Sequence, residues 1–352
     1  MVDMKNMMKA ARIYGANDFR IDDIEIPEID DNEILLRVKA AAVCGTDLRM
    51  IQNGIDETNA FYPLTLGHEF SGIIEKTGSN VKDYAVNQRV CVAPNIGCGV
   101  CDICTSGNSH HCKKRHTIGL DIDGAFAEFV KIPADAVLHG NITPLPDNIS
   151  YEAAAANEAF ACVFNAFERY GFYPGETALI IGAGAIGLMH AALVLMAGAS
   201  KVFLNDLSEE RLAICKNIEP RLITIAGDPT EIINVETNNK GVDLVITACS
   251  SVIVQEEAFS YAALNGRINF FGGLPSGRTI NADTNIIHYK QLSVSGTTRS
   301  SHDHYRKALG FIEKNLVDVD SFVTHRFPID RIDEAIENAS NQRGLKQAIV
   351  FE

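Results

Sequence analysis

Four thiols stand close together in this chain. Cys98-Gly-Val-Cys101-Asp-Ile-Cys104 is closed a little further on by Cys112. At that spacing the four sulfurs can wrap one tetrahedral ion, and Zn²⁺ with four thiolates is the usual occupant. All four positions are then filled by protein, so such a metal stiffens a loop and has no place for substrate. A redox CxxC pair and a nucleic-acid-binding zinc ribbon share parts of this pattern. The ribbon is disfavoured by a net charge of −14 and by the lack of a basic, aromatic stretch.

A second group of residues sits upstream, in Cys44-Gly-Thr46-Asp47 and Gly67-His68-Glu69. A thiolate, an imidazole and a carboxylate occupy three positions on a zinc ion and leave the fourth for water or substrate. That is the arrangement of a catalytic metal.

The third signal is Gly182-Ala-Gly184-Ala-Ile186-Gly187, which follows the apolar run Thr177–Ile181 and opens an apolar helical stretch, Leu188–Ala197. Asp206 follows Gly187 by nineteen residues, at the end of Lys201–Asn205. This is the context that a dinucleotide fingerprint needs. Gly182 makes the tight turn, Gly184 admits the pyrophosphate to the backbone, and Gly187 lets helix and strand pack closely. Asp206 accepts hydrogen bonds from ribose hydroxyls and repels a 2′-phosphate, and no basic residue precedes Arg211. NAD is therefore expected in preference to NADP.

The surrounding pattern gives these groups a scaffold. From about residue 7 to 150 short alternating runs read as strands, among them Ile34–Lys39, Phe70–Glu75 and Ala125–Val130. A helical stretch starts near Glu152 and reaches Tyr170. After Pro174-Gly175 strand candidates fall at 178–181, 202–205, 222–225, 244–247, 268–271 and 292–295. Helical segments such as Glu209–Asn217 and Val252–Leu264 separate most of them. Alternating strands and helices predict a parallel, doubly wound sheet. The last 55 or so residues are mixed and are expected to return to the first domain.

At 352 residues two domains are expected, and no apolar run approaches the roughly 20 residues that span a bilayer. Met1-Val-Asp-Met-Lys5 does not read as a signal peptide. Nine cysteines without an export signal point to a reducing compartment, the cytoplasm. Cys91, Cys162, Cys215 and Cys249 read as core residues.

Taken together, CGTD at Cys44–Asp47, GHEFSG at Gly67–Gly72, GCGVCDIC, GAGAIG and Thr324-His-Arg-Phe-Pro resemble a zinc-containing medium-chain dehydrogenase over essentially the whole chain. Within that family the chain is most similar to sorbitol-type polyol dehydrogenases and their sugar-alcohol-phosphate relatives. The resemblance implies an α/β protein with a β-rich, GroES-like catalytic domain at residues 1–154 and 297–352. The structural zinc lobe spans about 94–115, and a Rossmann coenzyme domain is inserted at 155–296, with the active site in the cleft. It also implies a homodimer or homotetramer, one catalytic and one structural zinc, and NAD.

By the same likeness Cys44 and His68 hold the catalytic zinc, with Glu69 either a ligand or just behind it. Glu158 matches the glutamate of a sorbitol-type motif whose next residue is proline; here it is Ala159. It is expected as a ligand or as the holder of the zinc water. Thr46 is the expected first proton relay. Where relatives place a histidine to pass the proton outward, this chain has Leu48-Arg49. Arg211 is expected beside the adenosine ribose, with Phe271, Gly272, Gly273, Thr297 and Thr298 along the nicotinamide end. Arg299 falls where sorbitol-type enzymes bind substrate.

The implied reaction is hydride transfer between a secondary alcohol of a polyol and NAD. Arg49 and Arg299 raise the possibility of a phosphorylated polyol, and Phe61–Gly72 is similar to the matching segment of galactitol-phosphate dehydrogenases. L-threonine 3-dehydrogenase is the alternative enzyme, and an NAD- and zinc-binding regulatory protein is the non-enzyme alternative. Neither nucleic acid nor membrane is expected as a partner.

Overall fold

A computed structural model describes residues 6–55 and 62–352. The sequence readings on Met1–Lys5 and on Phe61 lie outside these residues. The chain divides into two compact units, one running to Ala161 and resuming at Arg299–Glu352, the other Cys162–Thr298. The boundary falls within one long helix, Tyr151–Tyr170.

The first unit is built on largely antiparallel sheet, with Val323–Pro328 and Lys346–Val350 paired parallel. In Ile34–Ala42 the residues Ile34, Leu36 and Val38 are fully buried while Arg37 and Lys39 are not, the period-two pattern of a strand with one face in the core. This strand pairs with Glu69–Thr77 along most of its length, placing Ala42 opposite Glu69. Its other neighbours are Phe129–Ile132 and Lys346–Val350, and Val323–Pro328 continues the sheet beyond the latter. Residues near the C-terminus thus pair with the strand that leads to Cys44. Phe70, Phe126, Leu66, Ile74, Ile118 and Ile349 fill the core between these elements.

The Ala125–Val130 run is shorter as strand than its alternation suggests, since the strand begins at Phe129. Ala125 and Phe126 instead donate their N–H groups to the Gly67 and Leu66 carbonyls. They back the turn that presents His68.

The second unit is a six-stranded sheet, parallel throughout, in the spatial order 223–226, 201–206, 177–181, 242–247, 262–270, 293–296. This is the doubly wound Rossmann order, whose switch point lies beside its first strand. The sequence placed the six strands within a few residues, except that Ala262–Leu264 belong to strand and the helix Val252–Tyr261 ends before them. Ala262 pairs with Val242 across a register shift, and this long-range pairing overrides the local helical pattern.

Helix Ala185–Met196 is apolar nearly all round and correspondingly buried. Gly198, at φ +95°, ends it in the left-handed conformation that glycine adopts freely. No helix among the described residues is long and apolar enough to cross a membrane.

Candidate active site

The four clustered cysteines come together on a small lobe. Cys98 and Cys104 sulfurs are 4.0 Å apart, Cys101 and Cys112 sulfurs 3.9 Å. All four lie within 4.8 Å of one another. A thiolate tetrahedron around zinc, with bonds of ~2.3 Å, has edges of about 3.8 Å, so the lobe fits that ion closely. A disulfide needs about 2.05 Å and is not formed. Backbone N–H groups of Val100 and Cys101 draw the Cys98 thiol down to about 6, toward the thiolate a metal requires.

Of the other cysteines, Cys91 and Cys215 are buried, and burial pushes both thiols up to about 12. Cys162 and Cys249 are only half-buried, less enclosed than the sequence suggested.

Cys44, His68 and Glu69 form the second cluster, their ligand atoms also within 4.8 Å of one another. Cys44 is the N-cap of helix Gly45–Asn53. Strand Glu69–Thr77 begins immediately after His68. Asp47, fully buried, joins the two: its Oδ2 accepts the Cys44 N–H at 2.8 Å, and its Oδ1 lies 3.3 Å from His68 Nδ1. With Nδ1 facing a carboxylate, Nε2 is the nitrogen left for a metal.

Behind Glu69 stands Lys346, its Nζ 2.6 Å from Oε1 and 2.5 Å from Oε2. Both side chains are buried. Asp47 lay inside the CGTD motif without an assigned role, and Lys346 was missed. Its only signal was a lone charge opening the apolar run Ala348–Phe351.

Glu158 is buried on helix Tyr151–Tyr170, not a surface carboxylate. It lies outside the three-residue cluster, yet its charge reaches both Glu69 and Lys346. Burial holds the Glu69 carboxyl well above its usual range, and the charges of Cys44 and Glu158 add to this against Lys346. For Cys44, burial alone would push the thiol up. The charge and hydrogen bond of His68 and the charge of Lys346 outweigh it and bring Cys44 down to about 7. Three carboxyl groups and a thiol are thus gathered around one lysine and one imidazole. A divalent cation balances such a set, so the residues fit a catalytic zinc.

Thr46 is half-buried and accepts a hydrogen bond from Arg49 Nη2 at 2.9 Å. Arg299 is exposed, with φ +58°.

In the second unit the expected coenzyme residues gather at the carboxyl ends of the strands. Gly182, at φ +118°, donates its N–H to the Asn205 carbonyl at 2.7 Å. A Cβ on Gly187 would collide with the Gly182 carbonyl oxygen, so the helix can start this close to the strand only with glycine there. Ile186 lies in the first turn of the helix.

Asp206 anchors the turn, accepting N–H groups from Ala183 at 2.6 Å and Ser208 at 2.9 Å. Each oxygen keeps a further lone pair for a ribose hydroxyl. A Cβ on Gly184 would stand 3.8 Å from Arg211 Nη1, so that guanidinium borders the phosphate-binding turn. Phe271 and Gly272 both donate N–H groups to the Thr247 carbonyl, and the space beside Gly273 is open. The Phe271 ring packs edge-on against buried His190, 4.8 Å between centroids. Thr297 Oγ1 reaches Asn269 Oδ1 at 3.4 Å, and the Thr298 carbonyl accepts from Asn165 Nδ2 at 3.4 Å.

Comparison with known proteins agrees with this geometry. Residues 30–146 match the alcohol dehydrogenase GroES-like domain, and residues 185–314 match the zinc-binding dehydrogenase domain. The chain is 34% identical to L-threonine 3-dehydrogenase of Bacillus subtilis, over 95% of this chain and 94% of that one. The chain belongs to the zinc-containing alcohol dehydrogenase family. It is also 31% identical to sorbitol dehydrogenase of Bacillus subtilis, over 94% and 93% of the two chains. A zinc-binding dehydrogenase from Sinorhizobium meliloti, bound to NADP, superposes with a TM-score of 0.88 at 27% identity, covering 98% of this chain and 99% of that one. The polyol branch is therefore not singled out, because threonine and sorbitol enzymes both match.

Proposed function

We propose that this member of the family oxidises a secondary alcohol with NAD at the site formed by Cys44, His68 and a buried carboxylate. The observation that carries the proposal is that cluster of three ligand atoms within 4.8 Å of one another, with His68 and Glu69 buried and Cys44 half-buried; three protein ligands would leave a fourth zinc position for substrate. Cys44, His68 and either Glu69 or Glu158 would hold zinc, which when bound would supply Lewis-acid character toward the alcohol oxygen. NAD supplies the hydride acceptor.

The chain's own residues do the positioning. Asp47 fixes the Cys44 backbone and the tautomer of His68, while Lys346 keeps Glu69 from standing as an unpaired buried charge. With its oxygen accepting from Arg49, the Thr46 hydroxyl keeps its own proton for another acceptor, which supports its reading as the first proton relay of the alcohol. Arg49 cannot pass that proton onward, because a guanidinium stays charged. The relay on this side therefore ends at Thr46. Asp206 supports NAD over NADP; the NADP in the Sinorhizobium meliloti structure means that the fold alone does not exclude NADP.

Free or phosphorylated polyols are one substrate class. A second reading, oxidation of L-threonine, is supported by the likeness to the threonine enzyme. The test is NADH formation from a panel of polyols, polyol phosphates, L-threonine and simple alcohols, with and without a strong zinc chelator. Chelator-sensitive turnover of one class supports the proposal and selects the reading. Silence across the panel, with zinc and NAD bound, refutes it.

A further inference from the structure

Helix Tyr151–Tyr170 opens with an alanine-rich turn, Ala153–Ala156, and then places two polar residues in the interior, Asn157 and Glu158. This part of the helix and helix His302–Glu313 belong to the same compact unit. Two adjoining faces of the turn are fastened to different partners.

One face meets the strands of the metal cluster. Residues 151, 155 and 158 recur at helical spacing and share it. The Tyr151 carbonyl accepts the Ser71 hydroxyl at 2.6 Å, and Ala155 packs with Ala40 and Ala42. Ser71 lies two residues beyond Glu69, and Ala42 lies two residues before Cys44. Glu158 continues this face, and its charge reaches Glu69 and Lys346.

The other face, carrying Ala154 and Asn157, meets Tyr305. Asn157 Nδ2 donates to the Tyr305 carbonyl at 3.1 Å, and the Tyr305 hydroxyl donates to the Ala154 carbonyl at 3.5 Å. All three residues are fully buried.

Asn157 is a costly residue at this place. Asparagine is a weak helix former, because its amide competes for backbone bonds. Its enclosed Oδ1 has no hydrogen-bond partner among the described residues. An unpaired buried acceptor gives up its hydration with nothing in return. Alanine, which fills the four preceding positions, would carry neither cost. What Asn157 adds is the tie to Tyr305. The helix runs unbroken past Ala159, so no proline bends it there, and the tie holds the turn that carries Glu158.

We infer that Asn157, held by Tyr305, is a positioning residue for Glu158. The inference rests on the dehydrogenase reading above, in which Glu158 serves the catalytic zinc.

The test is a double-mutant cycle on Asn157→Leu and Glu158→Gln in zinc-loaded protein. It reads kcat, KM for NAD, and the rate at which a chromophoric chelator draws off zinc. Asn157→Leu is expected to lower kcat about tenfold and to speed the loss of one zinc equivalent by about the same factor. KM for NAD should not change. In the Glu158→Gln background the same substitution should have no further effect on kcat or zinc release, because the residue it positions is gone. A merely structural loss would add equally in both backgrounds. Asn157→Ala, which favours the helix, carries the same expectation where leucine does not fit. Losses that add, or Asn157 variants that match wild type, overturn the inference. Wild-type kcat and zinc release in Glu158→Gln would also overturn it, by removing Glu158 from the site, and would leave the reading of Cys44 and His68 in place. If no alcohol is oxidised the dehydrogenase reading fails, and the zinc-release cycle by itself decides the positioning.

Discussion

Lys346 Nζ sits within 2.6 Å of both carboxylate oxygens of Glu69, in the interior, across 277 positions of sequence. The pair ties the last strand of the chain to the backbone next to His68. The C-terminal strand is therefore part of the framework of the candidate site as well as an interior strand of the sheet.

Removing one partner of a buried ion pair leaves the other charge uncompensated, at a cost of about 3–5 kcal/mol. Lys346→Met is expected to lose that much stability in denaturant unfolding. The double variant Lys346→Met/Glu69→Leu should recover much of it, since an apolar pair can replace a buried ionic one. Additive losses in the double-mutant cycle would show that the two side chains do not depend on each other.

The cysteine lobe is expected to depend on its metal for order. Cys112→Ser removes one of four ligands, and structural zinc sites supply folding energy directly. Protease cleavage confined to residues 98–112 should appear in this variant and in chelated wild-type protein. A lobe that stays protease-resistant after loss of zinc would contradict the structural role.

Coenzyme choice is assigned to Asp206. Because its carboxylate also holds the Ala183 and Ser208 N–H groups, Asp206→Asn is the informative change: it keeps an acceptor and removes the charge. The KM for NAD should rise about tenfold, roughly 1.4 kcal/mol, while that for NADP falls. An unchanged preference would mean that another residue reads the ribose.

What could be read from sequence was what lies close along the chain. Cys98–Cys112 share one lobe and Gly182–Gly187 one turn, so residue types and spacing were enough. Asp47 was visible in its motif, but its two contacts depend on the helix cap and on His68 arriving from a different segment. Lys346 could not be linked to Glu69 from any local window, since only the pairing of residues 346–350 with 34–42 brings them together. The strand that starts late at Phe129 and the helix that stops at Tyr261 were misjudged where distant backbone partners outweighed local alternation.

The measurement closest to the central claim compares Cys44→Ser with wild type, reading zinc content, NADH affinity by fluorescence quenching, and alcohol-dependent NADH formation. Loss of about one equivalent of zinc and most turnover, with NADH affinity largely intact, is the result expected of a catalytic metal held by Cys44. Wild-type turnover by the variant would contradict that assignment.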